Sequence, residues 1–333
     1  MRSERWHRPL LLMTAAMAVL TVITAVGVFA DDRVLVGAPV WLKPFKFSVS
    51  FTVYGLTLAW MLAVLPRRSR VAEWAATVIV AASVAEVAII TFQAARGHRS
   101  HYNNATPLDE QLWTLMGNVI VVLFLAHLVI GVVALVQRIP DRTAAYAIRA
   151  GLLLSLLGML AAVPMVLPMQ QDTGIEGIAG AHAVGVPDGG PGLPLVGWST
   201  TGGDLRIGHF IGLHGLQALP LLAILLTRLG VRARARLVVV AAFAYGGLTV
   251  ILTWQALRGQ ALLRPDALTL TALAALIVVS ALAALAMIKS YWGHQKPTLP
   301  GGSPAKHSDG NRGSAPDEAS DLWITPSLWT TRK

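Results

Sequence analysis

Eight apolar runs of about 20 residues each, the length that spans a bilayer core, leave this chain few ways to fold outside a membrane. They fall near 10–30, 45–65, 71–93, 112–136, 146–169, 207–227, 234–256 and 268–288. Leu, Val and Ala fill them without the ten-residue alternation of a transmembrane barrel, so the expected class is an all-α membrane protein with about eight spans. Charged residues are only 13% of the chain, against roughly 25% in a soluble domain.

The placement of those charges gives a topology. Arg2, Arg5 and Arg8 precede span 1; Arg67, Arg68 and Arg70 follow span 2; Arg138, Arg142 and Arg149 follow span 4. Arg228, Arg232, Arg234 and Arg236 follow span 6, and Lys289 and Lys296 follow span 8. The opposite loops hold fewer cations and most of the acids, among them Asp31, Asp32, Asp109, Glu110, Asp188, Asp204 and Asp266. The positive-inside rule then puts both termini in the cytoplasm. The formal charge of +10 is thus a topology signal, and no nucleic-acid partner is expected. Val28-Phe29-Ala30 resembles a signal-peptide cleavage site, but the run before it is too long for one, and span 1 is expected to be retained. The chain has no cysteine, which excludes disulfides, thiolate catalysis and cysteine-ligated clusters. No phosphate-cradling loop stands out on the cytoplasmic side, so direct use of ATP is not expected.

The chain repeats itself. Thr91-Phe92-Gln93-Ala94-Ala95-Arg96-Gly97 closes span 3 and Thr253-Trp254-Gln255-Ala256-Leu257-Arg258-Gly259 closes span 7, with five of seven residues identical at an offset of 162. Leu42-Lys43-Pro44-Phe45-Lys46-Phe47 and Leu205-Arg206-Ile207-Gly208-His209-Phe210 enter spans 2 and 6 at an offset of 163. This predicts two four-helix repeats in parallel orientation, 1–140 and 141–292, related by an axis along the membrane normal; sites of such proteins often lie at the repeat interface. The second repeat carries a long Gly- and Pro-rich outer loop over 170–206, apolar enough at Leu193, Leu195, Val196 and Trp198 to pack down as a lid. The tail 293–333 is rich in Pro, Gly, Ser and charge and is expected to be disordered in the cytoplasm.

Polar residues inside spans are costly and tend to face a cavity or the bundle interior. Lys46, Glu86, Gln93, Asn118, His209, His214, Gln217 and Gln255 all lie in the outer halves of their spans. His127 is the main exception, roughly 22 Å along span 4 from its outer end at the helical rise. The outer loop with Arg96, His98, Arg99, His101 and Asn103 adds further polar side chains. One-sided lining fits an outward-facing pocket that binds or acts on a lipid, a small amphiphile or an anion. In that reading Glu86 is a proton acceptor or ion-pair partner, with Lys46, His209, His214, Arg96 and Arg99 as its candidate partners. Lys46 and Arg96 hold negative charge, and His214 is an acid–base or ligand group. His98, His101, Gln93, Asn118, His209, Gln217 and Gln255 are further ligand-binding candidates. The competing readings are a fixed salt bridge for Glu86 and hydrogen-bonding glue for the histidines. Function alternatives are a b-type haem protein with His127 or His214 as axial ligand, a secondary transporter, and an assembly subunit. His209 and His214 are five apart and point away from one another, whereas His214 and Gln217 share a face; Gly208, Gly212 and Gly215 make a close-packing face, and Pro220 is expected to kink span 6.

The runs Gln93-Ala94-Ala95-Arg96-Gly97-His98-Arg99-Ser100-His101-Tyr102-Asn103 and Gly202-Gly203-Asp204-Leu205-Arg206-Ile207-Gly208-His209-Phe210-Ile211-Gly212-Leu213-His214-Gly215-Leu216-Gln217-Ala218-Leu219-Pro220 resemble motifs of an uncharacterised bacterial multi-spanning membrane family. The resemblance implies no activity. The 4+4 layout is also similar to that of haem A synthases, which place haem-ligand histidines on spans 2, 4, 6 and 8. Here His127 and His214 fall on spans 4 and 6, and spans 2 and 8 have none. A composition rich in Ala, Leu, Val and Arg points to a bacterial plasma (inner) membrane.

Overall fold

The computed structural model describes residues 6–167 and 177–293, with side chains to residue 290. Most of the lid expected over 170–206 is therefore visible, and the tail 294–333 lies outside the described residues. Eight helices carry the fold: α1 (Arg8–Ala30), α2 (Leu42–Val64), α3 (Arg70–Arg96), α4 (Pro107–Val136), α5 (Arg142–Leu160), α6 (Arg206–Arg228), α7 (Arg234–Leu257) and α8 (Ala267–Gly293). All eight are long and apolar enough to cross a membrane, which makes the chain a polytopic membrane protein. The short strands β1 (Val34–Leu35) and β2 (Ala38–Pro39) pair between α1 and α2; β3 (Ala183–Val184) and β4 (Gly203–Asp204) pair within the long loop.

Local chemistry sets the helix ends. Ser69 caps α3, Asp141 caps α5, and Thr106 caps α4 ahead of Pro107 at its first turn. The cap starts α4 five residues before the apolar run does. The fifth helix also differs from the expected 146–169. It begins at Arg142, capped by Asp141, and the apolar stretch beyond Leu160 breaks into a 3₁₀ turn at Val163–Met165, which contains Pro164. α6 runs through Pro220 as one helix.

The same helix pairs pack in both halves. The first helix touches the second and third, the second touches the third, and the third touches the fourth; the halves meet where α4 packs on α5 and α2 approaches α6. A core including Leu10, Leu58, Ile79, Ile130, Ile148, Leu152 and Leu216 spans α1 to α6. In lipid, such packing rests on close backbone approach, and α6 shows it. Gly208 lies on Thr253 of α7, Gly212 on Gly158 of α5, and Gly215 on Leu154. α5 is the most enclosed helix, while the most apolar 18-residue window of α8 has no buried residue.

Candidate functional site

The end of the bundle read above as outer holds the loops 31–41, 97–106, 161–167, 177–205 and 258–266 and gathers most of the polar side chains singled out above. Four of them, Gln93, Arg96, His98 and Gln255, belong to a pair of matching clasps. Gln93 Nε2 donates to Asp109 Oδ1 at 2.8 Å and to the Arg99 carbonyl at 3.2 Å. Arg96 Nη1 donates to Gln93 Oε1 at 2.6 Å and to Asp109 Oδ1 at 3.0 Å, and its guanidinium lies over Phe92 at 5.4 Å. Gly97 ends α3 with φ +73°, a conformation that favours glycine. The second half repeats the arrangement. Gln255 Nε2 donates to the Ala261 and Leu262 carbonyls, Arg258 reaches Asp266 at 2.5 Å and covers Trp254 at 4.5 Å, and Gly259 has φ +71°. Each clasp ties the end of one helix to the acid that opens the next. Gln93, Arg96 and Gln255 are thereby engaged within the protein, and His98 joins the first clasp through Nδ1, 3.2 Å from Asp109 Oδ2.

A roof lies over the bundle between the clasps. Asn104 N–H donates to the Gly177 carbonyl at 2.7 Å and Ala179 N–H to the Tyr102 carbonyl at 2.9 Å. Asp188 receives the N–H groups of His182 and Ala183 and the His182 ring at 2.9 Å. Buried Asp204 receives Ser199 N–H and Arg206, whose other terminal contact is the Gly197 carbonyl at 2.6 Å. Lys46 Nζ donates to the Val196 carbonyl at 3.1 Å, and Trp198 stacks edge-on against Phe210 with centroids 5.6 Å apart. The Gly189 backbone rests on Val36 and Gly37. The loop is thus packed down, as its apolar residues suggested, and it is anchored by charged side chains from α2 and α6.

Beneath the roof, half-buried Lys43 on α2 feels the charges of Arg206, Lys46, Asp188 and Glu86. It makes no hydrogen bond or ion pair among the described residues. Glu86 on α3 is 4% exposed and likewise closes no ion pair among them; the charge acting on it is that of Lys43. The expected partners Lys46, His209, His214, Arg96 and Arg99 are engaged elsewhere or out of range. Glu86 and Lys43 lie farther apart than the 4 Å of a salt bridge, so the fixed bridge that sequence reasoning weighed for Glu86 does not form.

His101 sits within reach of the Lys43 charge, its ring boxed by Phe47, Tyr102 and Trp113 at centroid distances of 5.6 to 6.0 Å, with Nδ1 3.1 Å from Ser100 Oγ. Burial, and then the Lys43 charge, push the His101 ring well below the ordinary histidine value, which keeps it neutral. Tyr102 is buried with φ +58°, a conformation that costs a non-glycine residue about 1 kcal/mol or more and that clusters at functional sites. Burial raises its phenol above the ordinary value.

His182 and Asp188 give the roof a pH dependence. Burial lowers the His182 ring below 6.5 despite the pull of Asp188. Burial alone would raise the Asp188 carboxyl, but the bond from His182 and the two backbone N–H groups outweigh it and hold the group well below the ordinary carboxylate range. A histidine and a carboxyl whose folded values are both depressed each bind protons more readily in the unfolded chain. Roof stability is therefore lost as pH falls, starting below about 6.5 and continuing through the carboxylate range. Limited proteolysis within 177–205 is expected to be faster at pH about 5.5 than at about 7.5. Asp188→Asn should speed cleavage at both values without flattening the difference, because it removes the pull that partly restores the His182 ring, whereas His182→Gln should flatten it.

The remaining candidates do not join this cluster directly. His209 Nδ1 donates to the Gly158 carbonyl at 2.8 Å. His214 Nδ1 donates to Gln217 Oε1 at 3.2 Å, as their shared face suggested, and Phe210 lies across the His214 ring at 4.3 Å. Asn118 faces outward from α4, not into the bundle. Sequence reasoning passed over Lys43, Tyr102, His182, Asp188 and Arg206 as site residues; the one available signal was that Lys43 and Arg206 occupy equivalent positions at the offset of 163.

Among the described residues no group of three or more His, Asp or Glu side chains is placed to hold a metal. Haem does not fit at His127. The His127 ring is 0% exposed, stacks on Tyr54 with centroids 5.9 Å apart, and has Nδ1 2.9 Å from the Tyr54 hydroxyl. A macrocycle at its Nε2 would require the surrounding helices to separate. Comparison with protein-family models, curated proteins and solved structures returns no match for this chain.

Proposed function

We propose that the outer layer is a roofed chamber, open to the exterior side of a bacterial plasma membrane, that binds an anion: a small free anion or the anionic headgroup of a lipid or amphiphile. Lys43 carries the reading. It is a half-buried ammonium with no hydrogen-bond partner among the described residues, close enough to Lys46 and Arg206 for the three positive charges to repel one another. Cations gathered this way are stabilised by an anion that accepts from them. Lys43 and Lys46 come from α2 and Arg206 from α6, equivalent helices of the two halves, so the ligand would sit on the axis relating them. The two matching clasps and the shared packing pattern support a duplicated origin for those halves. Glu86 would face the ligand from α3 and either balance excess positive charge or accept a proton from it; neutral His101 supplies a ring nitrogen beside it.

The test is thermal melting of protein in nanodiscs, with and without inorganic phosphate, in phosphatidylcholine alone or mixed with phosphatidylglycerol. Stabilisation by phosphate in either lipid would assign a free anion, and stabilisation only by phosphatidylglycerol would assign a headgroup. Either response should be abolished by Lys43→Gln, which is expected to leave the apo protein as stable as the wild type or more so, because it removes an unpaired charge. No stabilisation by either probe, or equal stabilisation of Lys43→Gln, would overturn the reading.

A further inference from the structure

The outer half of α4 presents a polar stripe to the lipid. Glu110, Gln111, Thr114 and Asn118 are all exposed and recur three and four residues apart, so they share one face, turned away from α3 and α5. Farther in, the same face continues as Val121, Leu125, Val132 and Val136. α4 is 30 residues long, about 45 Å at the helical rise, against a hydrocarbon core of about 30 Å. Glu110 and Gln111, in the first turn, reach the headgroup level. Asn118 lies about three turns in, within the apolar run that begins near 112.

None of the side chains of Gln111, Thr114 and Asn118 makes a hydrogen bond among the described residues. Half-buried Thr57 and exposed Thr271 do: Thr57 donates to the Val53 carbonyl and Thr271 to that of Ala267. The exposed face of α8, the equivalent helix of the other half, is apolar at Leu268, Leu270, Ile277, Val278, Leu282 and Leu285. One half therefore suits lipid and the other leaves amides unsatisfied in it.

We infer that this chain pairs with a second copy of itself, α4 against α4, through Gln111, Thr114 and Asn118. Carboxamides and hydroxyls both donate and accept, so the stripe is complementary to itself, and a two-fold axis along the membrane normal sets Asn118 opposite its symmetry mate. Hydrogen bonds of this kind hold membrane helices together. Gly117 adjoins the stripe with open space where a Cβ would lie, which allows close approach. The only charge, Glu110, sits where water reaches it.

The chain contains no cysteine, so single-cysteine variants report contacts without background. Thr114→Cys and Val121→Cys in native membranes are expected to oxidise to disulfide-linked homodimers, and Ile277→Cys, on the 67%-exposed position of α8, is expected not to. Adding Asn118→Leu to Thr114→Cys should lower the dimer yield by about threefold or more, the effect of losing an interhelical hydrogen bond of average strength. Its melting temperature as a detergent-solubilised monomer should not fall, which separates lost pairing from lost folding. Dimer from Thr114→Cys no greater than from Ile277→Cys, an adduct with a different protein, or a yield indifferent to Asn118→Leu would overturn the proposal.

Discussion

Replacing Asp109 with alanine is expected to produce the largest loss of stability of any single polar change in this protein. Asp109 is 0% exposed and receives Gln93, Arg96, His98 and the Thr106 hydroxyl. Its removal strands Gln93 and Arg96 at the mouth of the bundle. Breaking a buried pair costs about 3–5 kcal/mol, and the 27% exposure of Arg96 places this case at the lower end, near 3 kcal/mol. Asp266→Ala removes the equivalent acid of the second clasp, but that carboxylate is 41% exposed and water can replace it. Thermal melting of the two variants in one detergent should show a much larger drop for Asp109→Ala. Equal drops would mean that burial does not distinguish the clasps.

Gly212→Ala and Gly158→Ala should be nearly as damaging, by a route with no charge in it. A Cβ on Gly212 would meet the backbone of Gly158, and one on Gly158 the backbone of Gly212 and Leu213; a helix backbone cannot move aside as a side chain tip can. Overpacking of this kind costs about 1–3 kcal/mol. It must also overcome the gain of up to about 1 kcal/mol that alanine brings to a helix interior. Gly131→Ala on α4, with nothing within 4 Å of the added carbon, keeps that gain and should melt at or above the wild-type temperature. The sign difference between the same chemical change at Gly131 and at Gly212, read by melting and by the monodisperse fraction, checks whether α5 and α6 touch through their backbones.

Glu86 shows how far the sequence reached. Its place in the outer half of α3 was legible, because depth follows from counting residues at a fixed rise. Its neighbour was not. Lys46 was one of the candidate partners, yet Lys46 holds the roof through Val196, and it is the charge of Lys43, one turn earlier, that acts on Glu86. Asn118 tells the same story in reverse: correctly assigned to the outer half of span 4, it turns to the lipid face. The repeated Gln–x–x–Arg–Gly runs were visible as a pair, but whether they met a ligand or an acid depended on Asp109 and Asp266, which follow Arg96 and Arg258 at different spacings, 13 and 8 residues. His182 and Asp188 lie in a loop whose composition promised only a lid.

The number and order of the spans were written in the sequence, because bilayer thickness acts on local composition and each run answers to it alone. The charge asymmetry of the loops belongs to the same local level. Tertiary structure decided which face of each helix turned inward. Helices that are apolar on every side carry no stripe to fix their rotation, so close glycine contacts, clasps and roof hydrogen bonds had to set it. Those contacts join residues far apart in the chain, and they alone put Lys43, Glu86 and His101 under one roof and left Asn118 outside it.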